Sequence, residues 1–277
     1  FLQGAALGMW FVPLGSVLEA HGMAHLRPYA FATSGVAAFV SPLLFGAMAD
    51  RHASPVKVLR GLALATAVAM ALASTAIRAG ASSWVVLSLI LLHAFCSTPT
   101  WSIASTIVLA RLADAKKEFG PIRAMATIGW MGGCLLVSVL GADESTLAGY
   151  GGAVVWLAVG VFTFWLPVLE TPKAVVGLTW TQRFGYDALT LLRNRDHRVV
   201  FLTTALFAIP LAAFYPYAPA HLRELGLTHT SAWMSLGQIT EVIAMLLLGT
   251  LLLRWRLKWM LALGLGLGVV RYALSAT

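Results

Sequence analysis

The sequence predicts an all-helical, polytopic membrane protein. Three observations carry that prediction. Of 277 residues, 59% are hydrophobic and only 11% charged, whereas an average soluble domain carries about 25% charged residues. Apolar runs recur along the whole chain at about 20 residues each, the length a spanning helix requires. The basic residues gather in short connections between those runs. This distribution also argues against nucleic acid as the partner of the +8 net charge, because the basic side chains do not form one continuous basic face.

Hydropathy places nine spans, Phe1–Glu19, Tyr29–Ala49, Val56–Ile77, Trp84–Leu109, Ile122–Leu140, Leu147–Leu169, Val199–Ala218, Ala232–Leu253 and Trp259 to the C-terminus. The even-numbered connections hold 15 Lys and Arg, among them Arg51, Lys57, Arg111, Lys117 and Arg254, against Arg27, Arg78 and Arg223 in the odd ones. The positive-inside rule then puts the N-terminus and the even connections in the cytoplasm. The longest connection, Glu170 to Arg198, opens with a Thr171-Pro172 linker. It continues with helical spacing of Phe184, Ala188, Leu191 and Leu192 against Arg183, Asp187 and Arg193, which predicts an interfacial amphipathic helix over Gln182–Arg193. The domain reading is a six-helix bundle over 1–169, a cytoplasmic linker over 170–198 and the first three helices of a second bundle over 199–277. The chain starts at Phe1, inside an apolar run and without a recognisable signal peptide, and reads as a piece of a longer protein.

Taken in order, the spans carry few polar groups, and those few define the candidate chemistry. The fourth span holds His93 above Pro99 and Trp101, read either as a packed histidine with one satisfied nitrogen or as a proton relay. The fifth opens on Gly120-Pro121-Ile122-Arg123 and places Arg123, Thr127 and Trp130 on one face, at spacings of four and three. A guanidinium fork, a hydroxyl and a flat indole make a wall for a polar ligand; alternatively, Arg123 snorkels to the interface. The seventh span contains Pro210, Pro216 and Pro219, which predict a bent helix, with Tyr215 and Tyr217 open to reading as hydroxyl donors or interfacial aromatics. In the eighth, Gln238 and Glu241 share a face, and Glu241 lies about 14 Å from the Ala232 end at 1.5 Å per residue. A carboxyl at that depth costs a few kcal/mol to insert and marks a substrate or proton pathway; the plainer reading is an interhelical hydrogen bond. Arg271 in the ninth span requires a partner or a cavity. Gly264, Gly266 and Gly268 suit close helix packing. Cys96 and Cys134 fall in apolar runs as packing residues. The sequence contains no metal-ligand cluster, cofactor motif or nucleophile–base pair, so an enzyme reading has no support.

Gly46-Ala-Met-Ala-Asp50-Arg51, followed by Lys57 and Arg60, resembles the loop motif between helices two and three of the major facilitator superfamily. The resemblance implies a two-bundle transporter, cut within its second bundle, with Asp50 and Arg51 in a state-dependent charge network and Arg271 as a further gating residue. Three other stretches are similar to the nucleoside:proton symporter family within it: Phe119-Gly-Pro-Ile-Arg123 running to Thr127-Ile-Gly-Trp130, Ser235-Leu-Gly-Gln238-Ile-Thr-Glu241, and Val270-Arg271-Tyr272-Ala-Leu274. A weaker match joins Phe1-Leu-Gln3, Trp10 and Leu14-Gly-Ser16. The resemblance implies that Arg123, Thr127, Trp130, Gln238 and Glu241 line a central nucleoside site; read from the residues themselves, Glu241 and His93, as titratable groups inside spans, are the proton-coupling candidates. It also implies a monomer in the inner membrane that takes up a small nucleoside-like substrate with protons and uses no cofactor or metal. Two departures stand out: Ala126 replaces a usual Gly, and Leu211–Tyr217 lacks the amide side chains the family places on helix seven. The alternatives are a transporter of a sugar or other polar metabolite with the same fold, or a truncated remnant that does not transport.

Overall fold

The first predicted span is two helices, α1 (Leu2–Phe11) and α2 (Leu14–Ala20). The break falls at Val12–Pro13, because a proline ring offers no N–H to the helix ladder and crowds the preceding turn. The structure is a computed structural model that describes residues 1–51, 54–167 and 186–275, with the side chains of 42–51, 116, 186–189, 248–249, 252–253 and 257 outside the described residues. Five long helices follow: α3 (Arg27–Arg51), α4 (Pro55–Arg78), α5 (Ser83–Leu109), α6 (Ala115–Val139) and α7 (Leu147–Phe162). Pro55 begins α4 at the one helical position where its missing N–H costs nothing.

Of the amphipathic helix expected over Gln182–Arg193, the described part, Tyr186–Arg193, is a 3-10 helix; the rest lies outside the described residues. Then α8 (Arg195–Glu224) starts on an Asn194 cap, whose side chain accepts from Asp196 N–H at 2.8 Å, and runs unbroken through all three prolines. The eighth predicted span is again two helices, α9 (Thr230–Leu236) and α10 (Ile239–Arg254), parted at Gly237–Gln238. α11 (Leu257–Ser275) closes the described chain. Among the described residues there is no strand, and α4, α5, α6 from Lys117 and α8 are each long and apolar enough to cross a membrane.

Packing is centred on α1, which lies against α6 and α7, while α4 joins α5 and α7, and α3 joins α5. Trp10, Leu18, Met70, Ile77, Ile90 and Trp156 form the main core, with Trp156 fully buried. The α1–α6 contact is made backbone to backbone. Gly4 and Gly8 on α1 face the Ala126 and Trp130 carbonyls, and Gly129 and Gly133 on α6 face the Phe1 and Ala5 carbonyls, so that a Cβ at any of the four would overlap the opposing chain. Two reciprocal small-xxx-small pairs draw the helices together where lipid supplies no hydrophobic drive.

The far side of α6 carries α9 and α10, making it the element shared by the two parts of the chain. Val12, Cys134 and Met234, with Trp130, Tyr215 and Leu222 packed on them, form the small core of that junction. α8 and α11 turn apolar side chains outward, among them Leu206, Ile209, Leu267 and Val269, each more than half exposed. An apolar outer face of this kind suits contact with lipid or with further helices rather than with water.

Candidate functional site

The helix break at Gly237–Gln238 determines the geometry of the site. Gln238 becomes the residue that opens α10, and Glu241 falls in the first turn of that helix, where free backbone N–H groups favour negative charge. Glu241 is half-buried, and its Oε1 accepts from Thr127 Oγ1 of α6 at 3.2 Å. Gln238, 8% exposed, donates from Nε2 to the Tyr215 hydroxyl of α8 at 3.3 Å. Of the predicted residues, Thr127 of the fifth span and Glu241 of the eighth therefore meet, joined by one side-chain hydrogen bond across 114 residues of sequence, while Gln238 bonds to the seventh span.

Trp130, one turn along from Thr127, packs edge-on against Tyr215 at 5.8 Å between ring centroids and lies tilted against Phe11 of α1 at 6.0 Å. Arg123 lies over the Trp101 ring at 5.1 Å. A guanidinium over an indole face gains a cation–π attraction. Among the described residues, Glu241 forms no ion pair with Arg123 or Arg271. Arg271 instead sits over the Phe214 ring at 4.0 Å, and Phe214 packs edge-on against Tyr215. Asp50 and Arg51 fall at the end of α3, where the side chains lie outside the described residues.

Trp101, Trp130 and Tyr215 open onto a cavity of about 350 Å³ between α1, α3 and α5. His93 and Trp10 complete its inner wall, their rings 5.2 Å apart. Its other polar lining is hydroxyl, from Thr33, Ser34, Ser97 and Thr98. His93 is 3% exposed, and its Nε2 has no hydrogen-bond partner, as is also true of Trp130 Nε1. A buried polar atom without a partner costs about 1–3 kcal/mol, and these two are among several such atoms in the described residues. No group of His, Cys, Asp and Glu among the described residues is arranged to hold a metal ion.

A second polar cluster ties the two parts of the chain together on the face that carries the odd-numbered connections. Asp143, in the loop after α6, accepts from Ser231 N–H at 2.7 Å, Ser138 Oγ at 3.1 Å and Thr230 Oγ1 at 3.4 Å. Ser138 Oγ also accepts from Ala232 N–H at 3.0 Å, so α6 and its loop cap the first turn of α9. Beside it, Glu19 pairs with Arg27 and Arg223, and Arg223 reaches Glu144 at 2.7 Å. Sequence reasoning missed Glu19, Asp143 and Glu144 because each lies at the end of an apolar run, where a carboxylate is unremarkable. It missed Phe11 because a lone apolar aromatic gives no signal. The weak match at Trp10 and the spacing of Trp101 to His93 were the available hints for the cavity.

A broken helix carrying a carboxyl and an amide, its carboxyl hydrogen-bonded to a helix from the other part of the chain within a helical bundle, is the build of a secondary transporter of the major facilitator class. The comparisons are specific. The chain belongs to the nucleoside H+ symporter family, which it matches over residues 1–277. It is 34% identical to the protein YegT of Escherichia coli over 98% of this chain and 65% of that one. It is 27% identical to the nucleoside permease NupG of Escherichia coli over all of this chain and 69% of the relative, and 23% identical to the Escherichia coli xanthosine permease over the same shares. Crystal structures of the nucleoside transporter NupG superpose on 92% of the chain, with TM-scores of 0.79 for a D323A mutant at 26% identity and 0.73 for NupG itself at 25%. The chain spans about two thirds of the length of these relatives. It is an integral membrane protein with the major-facilitator fold.

Proposed function

We propose that this chain forms the greater part of a proton-coupled transporter that takes up nucleosides, or solutes of like size and polarity, by alternating access. The observation that carries the reading is the pair of hydrogen bonds, Thr127 to Glu241 and Gln238 to Tyr215, that join α6, α8 and α10 beside the cavity. Arg123, Thr127, Trp130 and Gln238 bind the solute, and Glu241 binds it or carries the proton. When Glu241 is protonated it no longer presents two acceptors to Thr127 and the α10 N-terminus, so proton and solute compete for, or share, one carboxyl. The basic even-numbered connections support a cytoplasmic N-terminus in an inner membrane, with 1–169 and 199–277 as the two moving parts and 170–198 linking them. On that orientation the Asp143 and Glu19–Arg223 contacts lie on the outer face and hold it closed. Asp50, Arg51 and Arg271 are assigned to gating, and the working unit is a monomer. His93, the other proton candidate, is buried with its ring packed on Trp10, which favours a packing role for it over a proton relay. The absence of amides over Leu211–Tyr217 favours a second reading, a transported solute other than a nucleoside.

Both readings are separated by uptake into proteoliposomes under an imposed pH gradient, with uridine, adenosine and glucose as test solutes. Accumulation of a nucleoside that collapses with the gradient is the expected result. Glu241→Gln is expected to abolish accumulation while leaving counterflow. Full gradient-driven accumulation by Glu241→Gln would remove Glu241 from coupling, and accumulation of glucose alone would establish the second reading.

A further inference from the structure

We propose that the turn between α10 and α11 is a binding site for an anionic phospholipid, with Arg254 and Arg256 on the headgroup phosphate and Trp255 and Trp259 beside its glycerol. The turn is short. α10 ends at Arg254 and α11 begins at Leu257, which leaves only Trp255, extended at φ −113° and ψ 145°, and Arg256 between them. The Arg256 carbonyl accepts from Trp259 N–H at 2.9 Å and so starts the new helix. A groove of about 600 Å³ results, lined by Arg254, Trp255, Arg256, Trp259, Ala262 and Leu263. Its lining changes character along the chain, from basic and indole groups in the turn to Ala262 and Leu263 within the first two turns of α11. Leu267 and Val270 continue the apolar face from Leu263 at spacings of four and three, and all three are more than half exposed.

The two guanidiniums are free to take an anion. Both arginines are exposed, neither forms an ion pair among the described residues, and no acidic side chain lines the groove. Elsewhere in the basic connections the arginines are occupied: Arg60 donates to Thr163, and Arg111 to the Pro167 carbonyl. Lys258, over the Trp259 ring at 5.5 Å, adds a third cation beside the groove. A phosphodiester accepts from guanidinium forks, indole rings settle at the level of lipid headgroups, and an acyl chain lies along an exposed apolar helix face. Free phosphate would use the first of these features alone, whereas a lipid uses all three. Clustered basic residues at the end of a membrane helix also attract anionic lipid through the field of the bilayer surface. The inference is independent of the solute carried. Its place in the cytoplasmic leaflet rests on the orientation proposed above, but binding itself does not, so a measurement in detergent tests the site apart from that orientation.

Native mass spectrometry of the full chain in detergent, titrated with phosphatidylglycerol, phosphatidylcholine or glycerol 3-phosphate, tests this. Wild type is expected to bind phosphatidylglycerol about 25-fold more tightly than phosphatidylcholine, roughly 5-fold for each of the two guanidiniums. Glycerol 3-phosphate, which has no acyl chain, should bind more weakly than phosphatidylglycerol by about 10-fold or more. The double variant Arg254→Gln, Arg256→Gln is expected to abolish the preference between the two lipids. The double variant Arg111→Gln, Lys117→Gln, in another basic connection, is expected to keep it. An equal loss in both double variants would show a general attraction of basic connections for anionic lipid and overturns the site. So does a wild-type preference for phosphatidylcholine, or glycerol 3-phosphate bound as tightly as phosphatidylglycerol. If the Arg254→Gln, Arg256→Gln variant is not monodisperse, Arg254→Gln alone should lower the preference about 5-fold, and an unchanged preference there overturns the proposal. The transport reading stands under each of these results.

Discussion

The Asp143 cap yields the most direct test of how the two parts of the chain are joined. Asp143→Ala removes the acceptor of three bonds, from Ser231 N–H, Ser138 Oγ and Thr230 Oγ1. The Ser231 amide belongs to the first turn of α9 and has no other acceptor in that helix, so its loss is that of a helix cap, about 0.5–2 kcal/mol. The two hydroxyls lose a charged acceptor, and a bond to a charged group is worth about 1.5–3 kcal/mol. Since both hydroxyls can turn to other acceptors, the sum is far from additive, and the net cost is about 2–4 kcal/mol. At about 2–4 °C per kcal/mol for a chain of this size, the unfolding midpoint falls by roughly 4–16 °C. Thermal unfolding of the purified chain in detergent, followed by tryptophan fluorescence, measures this directly. Asp143→Asn keeps one acceptor oxygen and should fall between. Glu144→Gln is the internal control. Its side chain is 54% exposed, and an ion pair at the surface contributes about 0–1 kcal/mol, so the midpoint should barely move. An Asp143→Ala midpoint within 1 °C of wild type, or a larger loss from Glu144→Gln, would refute the assignment of Asp143 as the joint.

Two further outcomes follow from the packing. Gly129→Val drives a branched side chain into the Phe1 carbonyl across the α1–α6 contact, and is expected to cost about 3 kcal/mol or more; loss of a monodisperse peak in size-exclusion chromatography checks it. Tyr215→Phe deletes the acceptor of Gln238 while keeping the ring against Trp130 and Phe11, and should weaken solute binding by about 3- to 10-fold and lower the unfolding midpoint by about 2–12 °C, because the buried Gln238 amide loses its acceptor.

The sequence by itself determined the all-helical class, the number of apolar spans, the orientation expected from basic loops, and the residue types of the site. These depend on hydropathy, charge placement and short motifs, all of which are local. Arg123, Thr127, Trp130, Gln238 and Glu241 were legible because polar groups in a membrane span are rare enough to be noticed singly. Only the tertiary structure decided which of them meet. Hydropathy counts Ala232–Leu253 as one span, and says nothing of a break at Gly237–Gln238 that turns Glu241 into a first-turn residue, since the chain remains apolar on both sides of it. Nor does it choose Thr127, rather than Arg123 or Arg271, as the partner of Glu241; that choice follows from the approach of α10 to α6. The cavity is lined by side chains of α1, α3 and α5 together with Trp130 and Tyr215, a property of how several helices pack and not of any one of them. In a membrane every helix is apolar, and apolar pattern alone does not say which side chain faces lipid, a neighbour or an empty space.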